Sequence, residues 1–148
     1  LILISEYGAS AHGNAIAFVL AGCCHRLARL LGLDDKYEPN RSSGSQAGEQ
    51  EIRRRLLWSC FVLDSIVGSG VDAHNISKYS LPEIPLPAPD SDFLAQFPDQ
   101  GKERLRLGDM EKAENIKRAS YRGQIIYLVL LRTRVLRCVG SSFYLVRK

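Results

Sequence analysis

No run in this sequence approaches the ~20 consecutive apolar residues that a membrane-spanning helix needs. The best candidate, IIYLVLL from Ile125 to Leu131, is short and ends at Arg132. No Cys-x-x-Cys pair occurs among Cys23, Cys24, Cys60 and Cys138, so a zinc site has no local framework. Such scattered thiols instead point to reduced, core-filling cysteines of an intracellular protein. Cys23-Cys24-His25 sets three ligand types in a row, but adjacent helical positions diverge by about 100° and cannot easily converge on one ion. No nucleophile elbow, metal pair or phosphate loop accompanies His12, His25, His74, Ser59 or Ser65. Gly68-Ser69-Gly70 is too short to cradle a phosphate, and catalysis is not expected. The chain also lacks a starting Met. It opens on LILISEYGAS, with no basic residues before it and no small-residue cleavage site after it. That is not a secretory signal, and a fragment of a longer protein is expected. The sequons Asn40-Arg41-Ser42 and Asn75-Ile76-Ser77 matter only in a secreted protein, and nothing else points there.

What is present is ordinary for a globular chain of 148 residues: 45% hydrophobic and 24% charged, enough for one domain with a core. Twenty Lys and Arg against sixteen Asp and Glu leave a net charge of +4. That mild excess does not by itself demonstrate a nucleic-acid partner. From Asn14 to Leu33, residues Ile16, Leu20, Cys23, Leu27 and Leu30 recur on one helix face, the face expected in the core. Asn14 suits an N-cap, Gly32 a left-handed C-terminal residue, and Leu33 a side chain folding back. Pro, Gly and Ser punctuation makes 34–50 a loop, with Asp34 and Asp35 as solvated turn residues. A second helix covers about Glu49 to Gly68. From Leu56 to Leu63 it is apolar on almost every side, the mark of a buried helix. Pro82, Pro85, Pro87 and Pro89 exclude a helix from the 71–100 stretch and predict an extended connection crossing the helical body. The charged, helix-prone segment from Lys102 leads into a third long helix, roughly Asn115 to Val139. There Tyr121, Ile125, Leu128, Val135 and Val139 share one side, with Arg132 among them to snorkel or pair. No strand alternation persists and no repeat is evident. The fold reads as all-α, an irregular helical bundle with a Pro-rich extended crossing segment, in a single domain over 1–148.

The densest cluster of unusual residues is EQEIRRRLLWSCFVLD, Glu49 to Asp64, which holds the chain's one Trp. Arg53, Arg54 and Arg55 project about 100° apart and cannot all enter one groove. They also occupy the first turns of a helix, where the macrodipole disfavours cations. Glu49 and Glu51 offset this in part, and Glu51 with Arg55 makes an i, i+4 pair. The three arginines are therefore expected to rim a buried helix and meet several acidic partners. Asp64 lies on the stripe of Arg53, Leu57 and Cys60. Buried unpaired it would be costly, so an inter-helix ion pair with Arg26, Arg29 or another basic residue is expected.

Three blocks in order carry a resemblance: FVLAGCCHRLARLLGLDD, EIRRRLLWSCFVLD and PEIPLPAPDSDF. They resemble the middle, regulatory region of fungal zinc binuclear-cluster transcription factors, the fungal-specific transcription factor domain. Phe18, Gly22, Cys24, Arg26, Leu31, Gly32 and Leu33 match its first pattern. Glu51, Arg53 to Arg55, Trp58, Leu63 and Asp64 match the second; Leu86, Pro87 and Phe93 match the closing Leu-Pro segment and aromatic. The stretch from Arg132 to Val139 is similar to a later helix of some members. The chain departs from the pattern at Leu57, where a Trp is usual, and at Gly68-Ser69-Gly70, where Gly-Arg-Pro is usual. The family's six-cysteine zinc cluster is absent from these 148 residues.

The resemblance implies an all-helical regulatory module of a nuclear transcription factor, with zinc and DNA binding belonging to an N-terminal part of the parent protein. The module itself has no catalytic, cofactor or metal residues in this view. Its implied partners are other regions of the same protein and transcriptional coregulators, with no membrane contact and with dimerisation left open. The alternative is a helical scaffold or protein-interaction module unrelated to transcription.

Overall fold

A computed structural model describes residues 14–33, 44–68, 81–95 and 104–146. Asp34-Asp35, both sequons, His12 and His74 lie outside the described residues. Within them are helices α1 (Asn14–Leu30), α2 (Gly44–Val67), α3 (Asp90–Leu94), α4 (Ala113–Arg118) and α5 (Tyr121–Val146), with a 3₁₀ turn at Leu107–Glu111. There is no strand among the described residues. None of their helices is long and apolar enough to cross a membrane. The expectation of an all-helical fold holds.

The end of α1 is built as its sequence predicts. Gly32 takes the left-handed conformation, φ 59°. Its amide donates to the Arg29 carbonyl at 3.0 Å and the Leu33 amide donates to that of Ala28 at 3.0 Å. These are the two bonds of a Schellman motif, and Leu33 packs back on the core. The buried face of α1, however, is not the expected one. Ala17, Ala21, Cys24 and Ala28 are buried, while Ile16, Leu27 and Leu30 are exposed and Leu20 and Cys23 are half-buried. The smaller stripe lies inside because α2 brings Trp58 and Phe61 into the same core cluster. Those rings meet edge to face at 5.4 Å, and two bulky surfaces cannot both fill one close helix–helix contact.

Helix α2 begins at Gly44, inside the stretch read as a loop over 34–50. Gln46, Ala47, Glu49 and Gln50 are good helix formers, and burial of Ala47 rewards their folding. The all-round burial expected from Leu56 to Leu63 is met at Leu57, Trp58, Cys60, Phe61 and Leu63, but Leu56 is exposed. Cys24 and Cys60 are core thiols, the Cys60 sulfur 3.8 Å from the Cys24 carbonyl oxygen. Burial pushes the Cys60 thiol up to about 11 and raises that of Cys24. Both are inert under ordinary conditions.

Residues 81–89 are free of helix, in keeping with their prolines, whereas Asp90–Leu94 turns helical within the stretch read as extended. Ile84, Leu86 and Ala88 are buried. The Leu86 amide donates to Leu105 at 2.8 Å and the Trp58 indole donates to the Pro85 carbonyl at 2.9 Å. Leu107 and Met110, from the 3₁₀ turn, complete the core. The third long helix is broken, not continuous from Asn115. Ala119 is extended, φ −66° and ψ 149°. Ser120 then caps α5: its hydroxyl accepts from the Gly123 amide at 3.1 Å and donates to the Pro87 carbonyl at 2.7 Å. A serine that can serve both neighbours favours the break. A Cβ at Gly123 would come within 3.4 Å of Leu86 Cδ1, so this glycine permits the close approach of the two segments.

Replacing Gly32 by Ala should lower stability by about 1 kcal/mol, because an L side chain is disfavoured in the left-handed conformation. A urea titration of the two proteins reads the difference, and an unchanged midpoint would contradict the cap.

Candidate functional site

The residues singled out in α2 converge on one carboxylate. Glu51 is wholly buried, at 0% exposure. Its Oε1 accepts from Arg55 Nε at 2.9 Å and from the Ala88 amide at 2.9 Å. Its Oε2 accepts from Arg54 Nη1 and from Arg104 Nη1, the latter at 2.9 Å. Two donors per oxygen use the full accepting capacity of a carboxylate. The site thus joins the middle of α2 to the 81–89 stretch and to the segment entering the 3₁₀ turn. Helical spacing explains why: Arg54 and Arg55 stand three and four residues beyond Glu51, so both reach back over the same turn.

Arg53 points elsewhere, as the 100° divergence requires. Its Nη2 donates to the carbonyl of Gly32 at 2.8 Å and to that of Leu31 at 3.4 Å. A cation there meets carbonyls left open at the end of α1 and the negative end of its dipole. Arg55 has a second set of contacts. Nη1 meets Asp90 Oδ1 at 2.7 Å, Nη2 donates to the Ala88 carbonyl at 3.1 Å, and the guanidinium carbon stands 4.1 Å from the Phe93 ring centroid. Arg122 of α5 donates to the same Asp90 oxygen at 2.9 Å. Arg122, and then Arg55, hold the Asp90 carboxyl below its ordinary value. This outer pair is about half exposed on its Asp90 and Arg122 sides, so solvent screens it strongly.

The predicted Glu51–Arg55 pair is present, and Trp58 is buried among the core residues. Asp64 is buried on α2, while Arg26 and Arg29 lie on exposed positions of α1. The central role of Glu51, with Arg104 and the Ala88 amide as partners, and the link from Arg55 to Asp90 were not foreseen. One signal for it was available: a carboxylate preceding two arginines by three and four residues in a helix otherwise headed into the core.

Chemically this is a clamp. A carboxylate with every acceptor direction filled has no free site for a substrate proton. The donor set does not fit zinc either. Among the described residues no group of three His, Cys, Asp or Glu side chains could hold a metal, and the cysteines are split between α1, α2 and α5.

Glu51→Gln keeps the side-chain shape but leaves buried guanidiniums without their counter-charge. It should cost about 3 kcal/mol or more, read as a large fall in the urea midpoint. A loss below about 1 kcal/mol would make this a surface-type pair and contradict the clamp.

Residues 3–148 match the family described as Fungal specific transcription factor domain. Among curated proteins the chain is similar to transcription factors of Fusarium oxysporum f. sp. lycopersici. It is 32% identical over 101 residues to the Zn(2)-C6 fungal-type transcription factor FTF1c, covering 64% of this chain and 11% of that protein. It is 35% identical over 77 residues to FTF1a, covering 48% and 8%. With FTF2 it shares 33% over 90 residues, covering 57% and 8%. The chain therefore spans about a tenth of the length of these relatives. No solved structure matches it. The match is to a transcription-factor family and not to an enzyme family. With almost its whole length matched, the chain belongs to the fungal-specific transcription factor domain family.

Proposed function

We propose that this chain is a single regulatory middle domain of a fungal zinc-cluster transcription factor, acting in the nucleus. Zinc and sequence-specific DNA contact reside in another part of the parent protein. The domain acts through other regions of the same protein and through transcriptional coregulators. The observation that carries this reading is the use of Arg53, Arg54 and Arg55. Their guanidiniums go to the α1 terminus, to Glu51 and to Asp90, so the most basic motif of the chain is committed to internal contacts. A DNA-reading element would keep such side chains directed to one groove. In this reading the Pro-rich segment crosses the helical body as an integral part of the domain, supported by buried Leu86 and the Trp58–Pro85 hydrogen bond.

Two measurements test it. The reading frame upstream of Leu1 should encode six closely spaced cysteines in a Lys- and Arg-rich stretch. The isolated chain should show no sequence-selective binding to duplex DNA in an anisotropy titration; tight, selective binding with a steep salt dependence would refute the assignment.

We also propose that buried Asp64 is matched by a basic side chain of α1, Arg26 or Arg29, fixing the register of α1 on α2. Asp64→Ala should then unfold at a clearly lower urea concentration, by roughly 3 kcal/mol, and Arg26→Ala or Arg29→Ala should reproduce part of the loss. An unchanged midpoint for Asp64→Ala rules the pairing out.

A further inference from the structure

Helix α3 rests on the domain without sinking into it. None of its five residues, Asp90–Leu94, is buried. A helix this short has little stability of its own in water, so contacts with neighbouring elements hold it in place. Those contacts are electrostatic. Asp90 Oδ1 accepts from Arg55 Nη1 at 2.7 Å and from Arg122 Nε at 2.9 Å. The Phe93 ring lies over the Arg55 guanidinium at 4.1 Å. Asp90 and Arg122 are each about half exposed, where water and salt weaken such pairs. A cation–π contact near the surface is likewise of modest strength.

The residues just before α3 are held differently. Ala88 is buried, and its amide donates to the buried Glu51 carboxylate at 2.9 Å. Leu86 is buried, and its amide donates to the Leu105 carbonyl at 2.8 Å. The boundary is Pro89, exposed and extended at φ −53° and ψ 145°. Its ring fixes φ and leaves ψ as the joint. Arg55 spans that boundary. Its Nε meets Glu51 at 2.9 Å and its Nη2 meets the Ala88 carbonyl at 3.1 Å, and neither bond involves α3. We propose that α3 is a latch held by charge, which opens about Pro89 as a unit while the Glu51 centre and the core stay closed. Buried contacts on one side of a single residue and screened ones on the other give the two parts different opening free energies. Opening withdraws Asp90 from between α2 and α5 and turns the outer edges of Arg55 and Arg122 to solvent. The positive charge the domain shows at this edge therefore depends on whether the latch is closed. The latch goes beyond family membership and does not depend on what the parent protein binds.

Amide hydrogen exchange on the full chain, read by nuclear magnetic resonance, tests the latch. The Phe93 amide, donating to Pro89 at 3.1 Å, and the Ala95 amide, donating to Ser91 at 3.0 Å, report on α3. The Leu86 amide reports on the fixed segment. After correction for intrinsic rates, the α3 amides should exchange at least about a hundredfold faster than Leu86. Raising the salt from about 0.1 M to 1 M shortens the screening length from about 10 Å to 3 Å. That should speed the α3 amides further and leave Leu86 unchanged. Arg122→Gln, on α5, leaves the sequence of α3 untouched. It should still speed the α3 amides about threefold, weaken their response to salt and leave the urea midpoint in place. Asp90→Asn should act in the same direction. Exchange of the α3 amides as slow as that of Leu86 would overturn the latch. So would indifference of those amides to both salt and Arg122→Gln, or acceleration of Leu86 together with them in Arg122→Gln.

Discussion

The buried Glu51 carboxylate is the constraint on which the rest of this domain depends. Removing a carboxylate from water is costly by several kcal/mol, and the cost is offset only when its oxygens are well matched. Glu51 draws those matches from three places in the chain: Arg54 and Arg55 one turn along α2, Arg104 beyond the proline-rich stretch, and the Ala88 amide within it. The non-helical 81–89 segment therefore has a fixed place. If Ala88 moves, one oxygen of a wholly buried carboxylate loses a donor.

From that point the constraint spreads outward by geometry. Arg55 ties the Glu51 centre to Asp90 and Phe93 at the start of α3, and Asp90 passes the contact to Arg122 on α5. Trp58 holds Pro85, Ser120 holds Pro87, and Gly123 leaves room for Leu86. The prolines that cannot join a helix thus lend their carbonyls to neighbouring helices. Arg53, three residues before Leu56, fastens α2 to the end of α1. A motif that reads as a block of like charge becomes three separate structural fastenings.

The three arginines of α2 are spent on contacts within the domain. Its charged centre is saturated and its thiols Cys24 and Cys60 are sunk in the core. Its exposed apolar side chains are spread over several elements, among them Val19 and Leu30 of α1, Ile52 and Leu56 of α2, and Tyr121 and Leu128 of α5. The domain belongs to a transcription-factor family and spans about a tenth of the length of its relatives.

Much of this was legible in the residues. The helical class, the left-handed turn at Gly32, the burial of Trp58 and its neighbours, the divergence of the three arginines and the Glu51–Arg55 pair all follow from local rules. Residues three or four apart meet on a helix, and glycine alone takes the left-handed turn freely. The tertiary structure decided which apolar face of a helix is buried. Helix α1 offered Ile16, Leu20, Leu27 and Leu30 on one stripe and Ala17, Ala21, Cys24 and Ala28 on the next. Hydrophobicity favours the first. The Trp58 and Phe61 rings on the facing side make the second the one that packs. On α5 the side shared by Tyr121, Ile125, Leu128, Val135 and Val139 is largely exposed, and Ile126, Leu130 and Thr133 are the buried residues. Arg104 and Ala88 lie 53 and 37 residues from Glu51; no local pattern joins them, because residues so far apart in the chain meet only in the tertiary structure.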